Sequence, residues 1–539
     1  MLQALYGVEV CLLKKRLKAE LLLMVVLMVG CKDPFESKFD HLPLLVTTKA
    51  AVDSCSNNGV VLQVGKDLND NNQLDQSEIQ ATRESCFPKS KSAKKTKKEL
   101  EEKVSVVAQV DRGTCLFGGF AVHIGKDRNH NRKLDSSESL QSEMFCDKPK
   151  ETQLMDPGLL LADKDKKLYL GYGLAMRDDE LFVGAPLFGE EGVSKGVLGH
   201  YKRNNVGKWI QAGLYFPQVE NHQMFGSTVA ASSQYVAVGS EGINVPSRVE
   251  VFHRRSGGLN WLQELELDSK DTKSGFARRI AMNDRIIVVA NLDRDEVFVF
   301  EKKGSRFERK ARLEVAPDSR DDGRFFGYSL AITNDQDILI GAYKEDAQPG
   351  VSSSGVVYVF KKVKSEWVEW QRLIAKTPNS NELFGSAVTA FDSWIAIGAS
   401  GAQVNHTVNS GRVDVFKKNG DGYYSFQESL VDNKATAHNF FGSGLVFTEN
   451  VLFVTANVFD LGVRSKGHSY AFKRIGDGWK KVHQLTHDDE SFQKYGWALA
   501  ADKGRFAVSA PMLNANNSSE NLLHGSVQGA VYVYEPGVF

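Results

Sequence analysis

One pattern recurs seven times between residue 170 and the carboxyl end, and it restricts the chain to repeat architectures. Each copy has an aromatic or apolar residue, then Gly or Ala, an apolar strand, a polar turn and a second apolar strand. Clear copies are FGSTVAASSQYVAVGS from Phe225 and FGYSLAITNDQDILIGA from Phe326. The second position of the pattern falls at 171, 226, 277, 327, 385, 442 and 496, a mean spacing of about 54 residues.

The rest of each unit predicts two further strands. A third strand follows as RVEVF from Arg248 or VVYVF from Val356, and a fourth as WLQELEL from Trp261. These segments alternate or run apolar over five to seven residues between Gly, Asn, Asp and Ser, and none has a helical period. Four short strands every 54 residues predict the blades of an all-β, seven-bladed β-propeller.

The aromatic–Gly pairs and Gly-Ala steps resemble FG-GAP repeats, the blades of the integrin α-subunit propeller and of many bacterial surface proteins. The resemblance implies a propeller over residues 149–539. The chain ends at Phe539, just after the third strand of the last blade. We expect an N-terminal strand from around Met155 to Ala162 to close that blade, because an unpaired sheet edge would otherwise remain.

The first 31 residues predict an export signal. Basic residues from Lys14 to Lys18 precede an apolar run, Leu21–Val29, which is too short to cross a bilayer. The stretch LMVGC resembles a bacterial lipobox, which implies lipidation of Cys31, and Lys32 after it favours the outer membrane. The alternatives are a cleaved signal with an incidental Cys and an uncleaved anchor.

A small module is duplicated with a period of 60 residues. Four cysteines lie at matching places, Cys55 and Cys86 in one copy and Cys115 and Cys146 in the other. An even number of cysteines in an exported chain predicts disulfides. Of the three connectivities, 55–86 with 115–146 is the most economical, because each copy then closes on itself.

Each copy carries a loop with the spacing of calcium ligands, GKDLNDNNQLDQSE and GKDRNHNRKLDSSE. It resembles the loops of EF-hand and dockerin proteins, although position 6, commonly Gly, is Asn72 or Arg132. The alternative is an Asn/Asp-rich turn without metal. The predicted Ca²⁺ ligands, at positions 1, 3, 5, 9 and 12, are Asp67, Asn69, Asn71, Asp75 and Glu78 in the first copy and Asp127, Asn129, Asn131, Asp135 and Glu138 in the second.

These features predict six consecutive regions. They are a signal peptide at 1–30, a lipidated tether at 31–50, a first module at 51–88, a charged linker at 89–104, a second module at 105–148 and the propeller at 149–539.

The sequence contains none of the common catalytic motifs that are expected of an enzyme with a local active-site signature. It has no nucleophile elbow, phosphate-binding Gly-rich loop, HExxH or CxxC pair, and no acidic calcium loop in the blades. We therefore expect a non-catalytic binding or adhesion scaffold and not an enzyme. Its propeller face would bind a protein or glycan, with specificity from the insertions Gly239–Pro246, Tyr343–Ser354 and Asn514–Gly525.

Two other functions stay open: a hydrolase or lyase with its active site at the central channel, and a purely architectural component of the envelope. Lys plus Arg equals Asp plus Glu, 67 each, so the charge gives no reason to expect nucleic acid. We expect an outer-membrane lipoprotein of a Gram-negative bacterium that contacts the membrane through its lipid alone, in a periplasmic or surface-exposed orientation.

Overall fold

The computed structural model divides the chain into two compact units, residues 1–148 with 537–539 and residues 149–536. Before residue 156 it describes only the backbone of eight strands. From residue 169 to residue 535 it describes the chain except at 191–192, 220–222, 243–245, 266, 268–274, 316–322, 457–466, 477, 487–494 and 512–528. Among the residues described, no helix has the length and hydrophobicity that crossing a membrane requires.

The first unit repeats one antiparallel meander. A four-stranded sheet contains β1 Met24–Leu27, β2 Leu44–Ala50, β3 Gly59–Lys66 and β4 Ile79–Cys86, and a three-stranded sheet contains β5 Ser105–Val110, β6 Gly119–Gly125 and β7 Ser139–Cys146. The hairpins share one register: Gly59 pairs with Cys86 and Gly119 with Cys146, and each ladder shifts at the equivalent Gly, 65 or 125. The 60-residue duplication is therefore present in the backbone.

The second unit is a ring of seven four-stranded sheets, which confirms the predicted all-β, seven-bladed propeller. The first blade contains β9 Leu174–Arg177, β10 Glu180–Ala185, β13 Val197–Arg203 and β14 Trp209–Tyr215, and β11 Gly189–Glu190 and β12 Val193–Ser194 form a small hairpin between β10 and β13. The second blade contains β15 Phe225–Ala231, β16 Tyr235–Ser240, β17 Arg248–Arg255 and β18 Gly258–Glu264. The third contains β19 Phe276–Met282, β20 Ile286–Asn291, β21 Glu296–Lys303 and β22 Arg306–Leu313.

The remaining blades follow the same order from the axis outward. The fourth blade contains β23 Phe326–Ile332, β24 Ile338–Ala342, β25 Val356–Val363 and β26 Glu366–Leu373, and the fifth contains β27 Phe384–Phe391, β28 Trp394–Ala399, β29 Arg412–Lys418 and β30 Tyr424–Leu430. The sixth contains β31 Phe441–Thr448, β32 Val451–Ala456, β33 His468–Ile475 and β34 Gly478–Thr486. The seventh contains β35 Leu499–Asp502, β36 Arg505–Ala510 and β37 Ala530–Glu535, and β8 Lys150–Met155 completes it.

The N-terminal strand closes the last blade, as predicted, but it lies earlier than expected. β8 covers Lys150–Met155 and pairs with β37 from Met155 opposite Ala530 to Lys150 opposite Glu535. The expected range, Met155–Ala162, rests on the alignment of GLLLADKDKKLYLG, which ends at Gly171, with QRLIAKTPNSNELFG, which ends at Gly385. Fourteen residues (156–169) separate β8 from Leu170, whereas ten (374–383) separate β26 from Phe384, so that alignment places the strand too late.

Strand position in a blade explains the apolar pattern. All six residues of β20 are buried, because neighbouring blades cover both faces of a second strand. The outermost strand β22 alternates buried and exposed residues, because one of its faces meets solvent. Side chains of adjacent blades form continuous clusters, one of which joins Val288 and Val299 to Ile340 and Tyr358.

The aromatic–Gly pair brings neighbouring blades close together near the axis. Phe326 is fully buried and its ring meets the edge of Tyr358 at 5.6 Å. Gly226 has a φ of +92°, and a Cβ at Gly184 of the preceding blade would lie 1.9 Å from the Gly226 carbonyl oxygen. Inner strands contact their neighbours around the ring, and β35 returns to β9. Their starts therefore surround one end of the central channel.

Candidate functional site

Seven residues lie at one end of the channel, each directly after the second position of its repeat and at or just before the start of an inner strand. We call this ring the channel mouth. It consists of Tyr172, Ser227, Arg278, Tyr328, Ser386, Ser443 and Trp497. Loops between second and third strands reach the same end, because each second strand runs antiparallel to its inner strand. Three aromatic residues and one arginine at one repeat position make the mouth chemically distinct.

Aromatic rings form two walls at the mouth. Tyr172 of the first blade and Trp497 of the last lie with ring centroids 5.0 Å apart. In the fourth blade Tyr328 lies 4.3 Å from Tyr343, and Phe325 lies 5.2 Å from Tyr343. These five residues are partly exposed, so part of their aromatic surface is accessible at this end of the channel.

Two consecutive arginines on β19 supply positive charge. Arg278 Nε lies 3.0 Å from Glu241 Oε1, and its Nη2 lies 3.8 Å from Asp293 Oδ1. Arg279 places its guanidinium 5.0 Å above the Tyr328 ring and donates a hydrogen bond from Nε to the Tyr328 carbonyl oxygen at 2.9 Å. Glu241 comes from the loop after β16, so the second and third blades share a carboxylate–guanidinium pair.

Electrostatics connect these groups across the mouth. Burial raises the pKa of Tyr172, the charge of Glu241 raises it further, and Arg279 and Arg278 oppose the rise. Burial and the neighbouring Tyr328 raise the pKa of Tyr343 to about 12. Both phenols therefore stay protonated at neutral pH and can donate hydrogen bonds. The mouth combines phenol donors, guanidinium donors and a carboxylate between aromatic walls.

A cavity elsewhere on the propeller is less suited to chemistry. It has a volume of about 580 Å³ and lies between the third and fourth blades, beside Trp367. Two of its carboxylates are already paired: Glu301 Oε2 lies 2.6 Å from Lys362 Nζ, and Asp337 Oδ2 lies 2.7 Å from Lys418 Nζ. A ligand would have to separate these pairs.

The residues predicted from the sequence as sites lie elsewhere. All ten predicted Ca²⁺ ligands fall between the paired strands of the first unit, in segments outside the described residues, as do Cys31, Cys55 and Cys115. Cys86 and Cys146 end β4 and β7. Within the described part of the chain, no group of three His, Cys, Asp or Glu residues is arranged to hold a metal.

Sequence reasoning missed the mouth residues, although a signal was available. The position after the aromatic–Gly pair is Ser in three blades and Tyr, Trp or Arg in the other four. Two of the insertions expected to give specificity do reach the mouth: Gly239–Pro246 contributes Glu241, and Tyr343–Ser354 contributes Tyr343.

Comparisons with known proteins agree with the repeat analysis. Residues 314–360 match the family model of the FG-GAP repeat, which together with the seven blades confirms the FG-GAP propeller. Residues 44–86, which are β2 to β4, match a domain of unknown function, DUF7151. A search of curated proteins found no match.

Solved structures with a similar fold share little sequence with the chain. A Lactobacillus plantarum protein is 12% identical with a TM-score of 0.43, covering 67% of this chain and 100% of its own. A Bacteroides uniformis protein proposed to be a 6-phosphogluconolactonase is 9% identical, with a TM-score of 0.40 and coverages of 72% and 97%. The periplasmic gluconolactonase of Pseudomonas aeruginosa is 16% identical, with a TM-score of 0.38 and coverages of 71% and 94%.

These comparisons correct two predictions. They contradict the expectation of a non-catalytic scaffold and the expectation that the chain is not an enzyme, because two of these three proteins are named as lactonases. A hydrolase with its site at the central channel is among the alternatives that the sequence left open. The sequence motifs could not reveal such a site, because it is assembled from several blades.

Proposed function

We propose that the chain is a hydrolase, that the channel mouth is its active site, and that its substrate is a cyclic ester of a sugar acid, a sugar lactone. The observation that carries the proposal is the Glu241–Arg278 pair, with 3.0 Å between Oε1 and Nε, set among the aromatic residues of the mouth. A carboxylate and a guanidinium in one mouth can serve as a base and as a stabiliser of an oxyanion.

The aromatic walls suit a sugar ring. The C–H faces of such a ring are apolar and pack on aromatic faces, whereas its hydroxyl groups project from the edge and need hydrogen-bond partners. The Tyr172–Trp497 pair and the Tyr328–Tyr343 pair offer the faces. The phenol groups and Arg279, which has no carboxylate partner among the described residues, offer the donors.

The same residues can hydrolyse a lactone. The Glu241 carboxylate takes a proton from a water molecule, and the water oxygen bonds to the carbonyl carbon. Arg278 donates hydrogen bonds to the carbonyl oxygen while it carries negative charge. The ring C–O bond then breaks, the carbonyl reforms, and the proton passes from Glu241 to the departing ring oxygen. The product is the open-chain hydroxy acid, and Glu241 ends as a carboxylate.

The test is lactone hydrolysis by the full chain. Glucono-δ-lactone and galactono-γ-lactone are incubated with the protein, and acid release is followed in a pH-stat after subtraction of spontaneous hydrolysis. We expect Glu241→Gln to lower kcat/KM at least 100-fold, because a general base contributes about 10²–10⁴-fold. Tyr172→Ala should mainly raise KM. Glu308→Gln, a matched change at an exposed glutamate on β22, should leave the rate unchanged.

Two results would overturn the proposal. One is a rate no higher than spontaneous hydrolysis for every lactone tested. The other is a Glu241→Gln variant that is folded and as active as the original protein. Elimination products in place of hydroxy acids would instead identify a lyase and would reject hydrolysis.

We also propose that the enzyme is held in the cell envelope by lipid on Cys31. The LMVGC stretch and the apolar run before it support this location. Expression with a radiolabelled fatty acid should label the original chain and not Cys31→Ala, and only the labelled form should sediment with membranes. Equal sedimentation of both forms would contradict the lipid anchor.

A further inference from the structure

Another cavity on the propeller lies beside the fifth blade. Its volume is about 820 Å³, and it lies between residues 379–382, which follow β26, and residues 401–409, which follow β28. We call it the amide groove because its lining includes Asn379, Asn381, Gln403, Asn405, His406 and Asn409. None of these residues belongs to the mouth ring or to its charged pair.

The amide groove is lined mainly by uncharged side chains. Its one carboxylate, Glu382, is buried, and both of its oxygens lie 3.3 Å from guanidinium nitrogens of Arg412. Asn379 Nδ2 also donates to Glu382 Oε1 at 2.9 Å. No Lys or Arg lines the groove. A phosphate-rich or acidic ligand would therefore meet no positive charge there.

Three polar side chains in the amide groove are available to bind a ligand. Among the described residues, the side chains of Asn381, Gln403 and Asn405 make no hydrogen bond within the protein, and they are exposed to solvent. A carboxamide both donates and accepts, as a sugar hydroxyl does, so the two groups complement each other. Exposed Val408 adds apolar surface to the same groove.

The loop that carries these side chains is held by its own hydrogen bonds. Thr407 N donates to the Val404 carbonyl at 2.9 Å, and Ser410 Oγ accepts from Val404 N and donates to the Thr407 carbonyl. Gly401 N donates to the Glu382 carbonyl at 3.0 Å, which joins the two sides of the groove. A groove shaped before binding loses little conformational entropy when a ligand enters.

We infer that the amide groove binds a neutral polysaccharide through hydrogen bonds from its carboxamides to sugar hydroxyls. This inference does not depend on the proposed lactone hydrolysis. The groove and the mouth belong to the same face, because residues 401–409 join a second strand to a third. A bound glycan would therefore hold the propeller with its channel mouth toward the polymer.

The test is affinity electrophoresis of the full chain in native gels that contain dextran, mixed-linkage β-glucan, mannan or galactan. We expect retardation in at least one gel and a Kd at least tenfold weaker for the Gln403→Ala/Asn405→Gly double variant. Gly is chosen at 405 because Asn405 has a φ of +49°, which Ala would strain. Gln427→Ala, at an exposed position of β30, is the matched control and should bind normally. Glu241→Gln should also bind normally, which separates this proposal from the hydrolase proposal.

The inference fails if no neutral polysaccharide retards the protein. It fails equally if the double variant, with an unchanged melting temperature, is retarded as strongly as the original chain. Retardation confined to gels containing an acidic polysaccharide such as alginate would also reject it, because charge and not the carboxamides would then explain binding.

Discussion

Arg203 and Glu535 lie 332 positions apart in the sequence and form a two-point ion pair between the first and last blades. Arg203 donates from Nε to Glu535 Oε1 at 2.9 Å and from Nη2 to Oε2 at 2.8 Å. Trp209 Nε1 also donates to Glu535 Oε1, at 2.7 Å. The Glu535 side chain is 4% exposed, so its charge depends on these donors. The pair therefore stabilises the ring at the junction of the first and last blades, where the chain closes it.

We expect Glu535→Ala to lower the free energy of unfolding by about 3 kcal/mol, because it leaves a buried indole N–H and a partly buried guanidinium without their acceptor. Burial opposes ionisation, but hydrogen bonds from Arg203 and Trp209 hold the pKa of Glu535 below its usual value. The stabilisation is therefore present above about pH 4.5 and is lost as pH falls. Urea unfolding at pH 7 and pH 3 measures both effects. Lys303→Ala, which removes an exposed ion pair, should change stability by less than about 0.5 kcal/mol. An equal loss in both variants would contradict this stabilising role.

Glu250 should make the propeller less stable at alkaline pH. Its carboxylate is buried on β17, and desolvation raises its pKa to about 7 in spite of hydrogen bonds such as that from Gln218 N. Between about pH 4.5 and pH 7 the folded state holds a proton that the unfolded chain has lost, so stability falls as pH rises through this window. Relative to Glu250→Gln, the original chain should lose at most about 3 kcal/mol between pH 5 and pH 8. Parallel urea-midpoint profiles for the two proteins would refute this, and Glu308→Gln is the control.

The closing strand should be needed for a stable, monomeric propeller. A chain that starts at Pro149 retains β8, whereas one that starts at Pro157 leaves the edge of β37 unpaired. We expect the shorter chain to unfold with about 3 kcal/mol less free energy or more, because a six-residue ladder is lost. It should also associate through the exposed edge. Thermal melting and light scattering of the two chains measure this, and matching melting temperatures would contradict it.

Ala277 should tolerate replacement by Gly. It occupies the Gly position of the repeat in the third blade and has a φ of +70°, close to the left-handed value at its six counterparts. Ala277→Gly removes a strain of about 1–2 kcal/mol but also a buried methyl group worth about 0.8 kcal/mol. We expect a net gain of up to about 1 kcal/mol. Gly327→Ala, the reverse change one blade on, should destabilise, because its Cβ would lie 2.8 Å from Ala290 Cβ. A loss above about 1 kcal/mol in Ala277→Gly, measured by urea unfolding, would contradict the strain.

The duplicated loops should bind Ca²⁺ weakly, with a Kd of about 0.1–1 mM, as in extracellular modules. Calorimetric titration of the full chain should give two sites, and Asp67→Ala with Asp127→Ala should remove both. Asp53→Ala lies outside the predicted ligand positions and should keep both sites. Binding that survives the double substitution would favour the turn without metal.

The fold could be predicted because its information is local and repeated. Each aromatic–Gly pair starts an inner strand or stands just before one, and each apolar second strand is buried on both faces, so seven copies specify seven blades. Even the closure by an N-terminal strand follows from a missing fourth strand. Its range, Lys150–Met155, did not follow, because loop length sets it and the repeat does not.

The sequence by itself determined the number of blades, the all-β class and the duplicated module, since short-range periodicity decides which segments become strands and which strands pair. Only the tertiary structure decided the site. Tyr172 and Trp497 stand near opposite ends of the propeller sequence, yet their rings meet at 5.0 Å, and the Glu241–Arg278 pair joins two blades. The first contact forms only when the ring closes, because it joins the first blade to the last. The second forms only when neighbouring blades pack together, because its two residues lie in different blades.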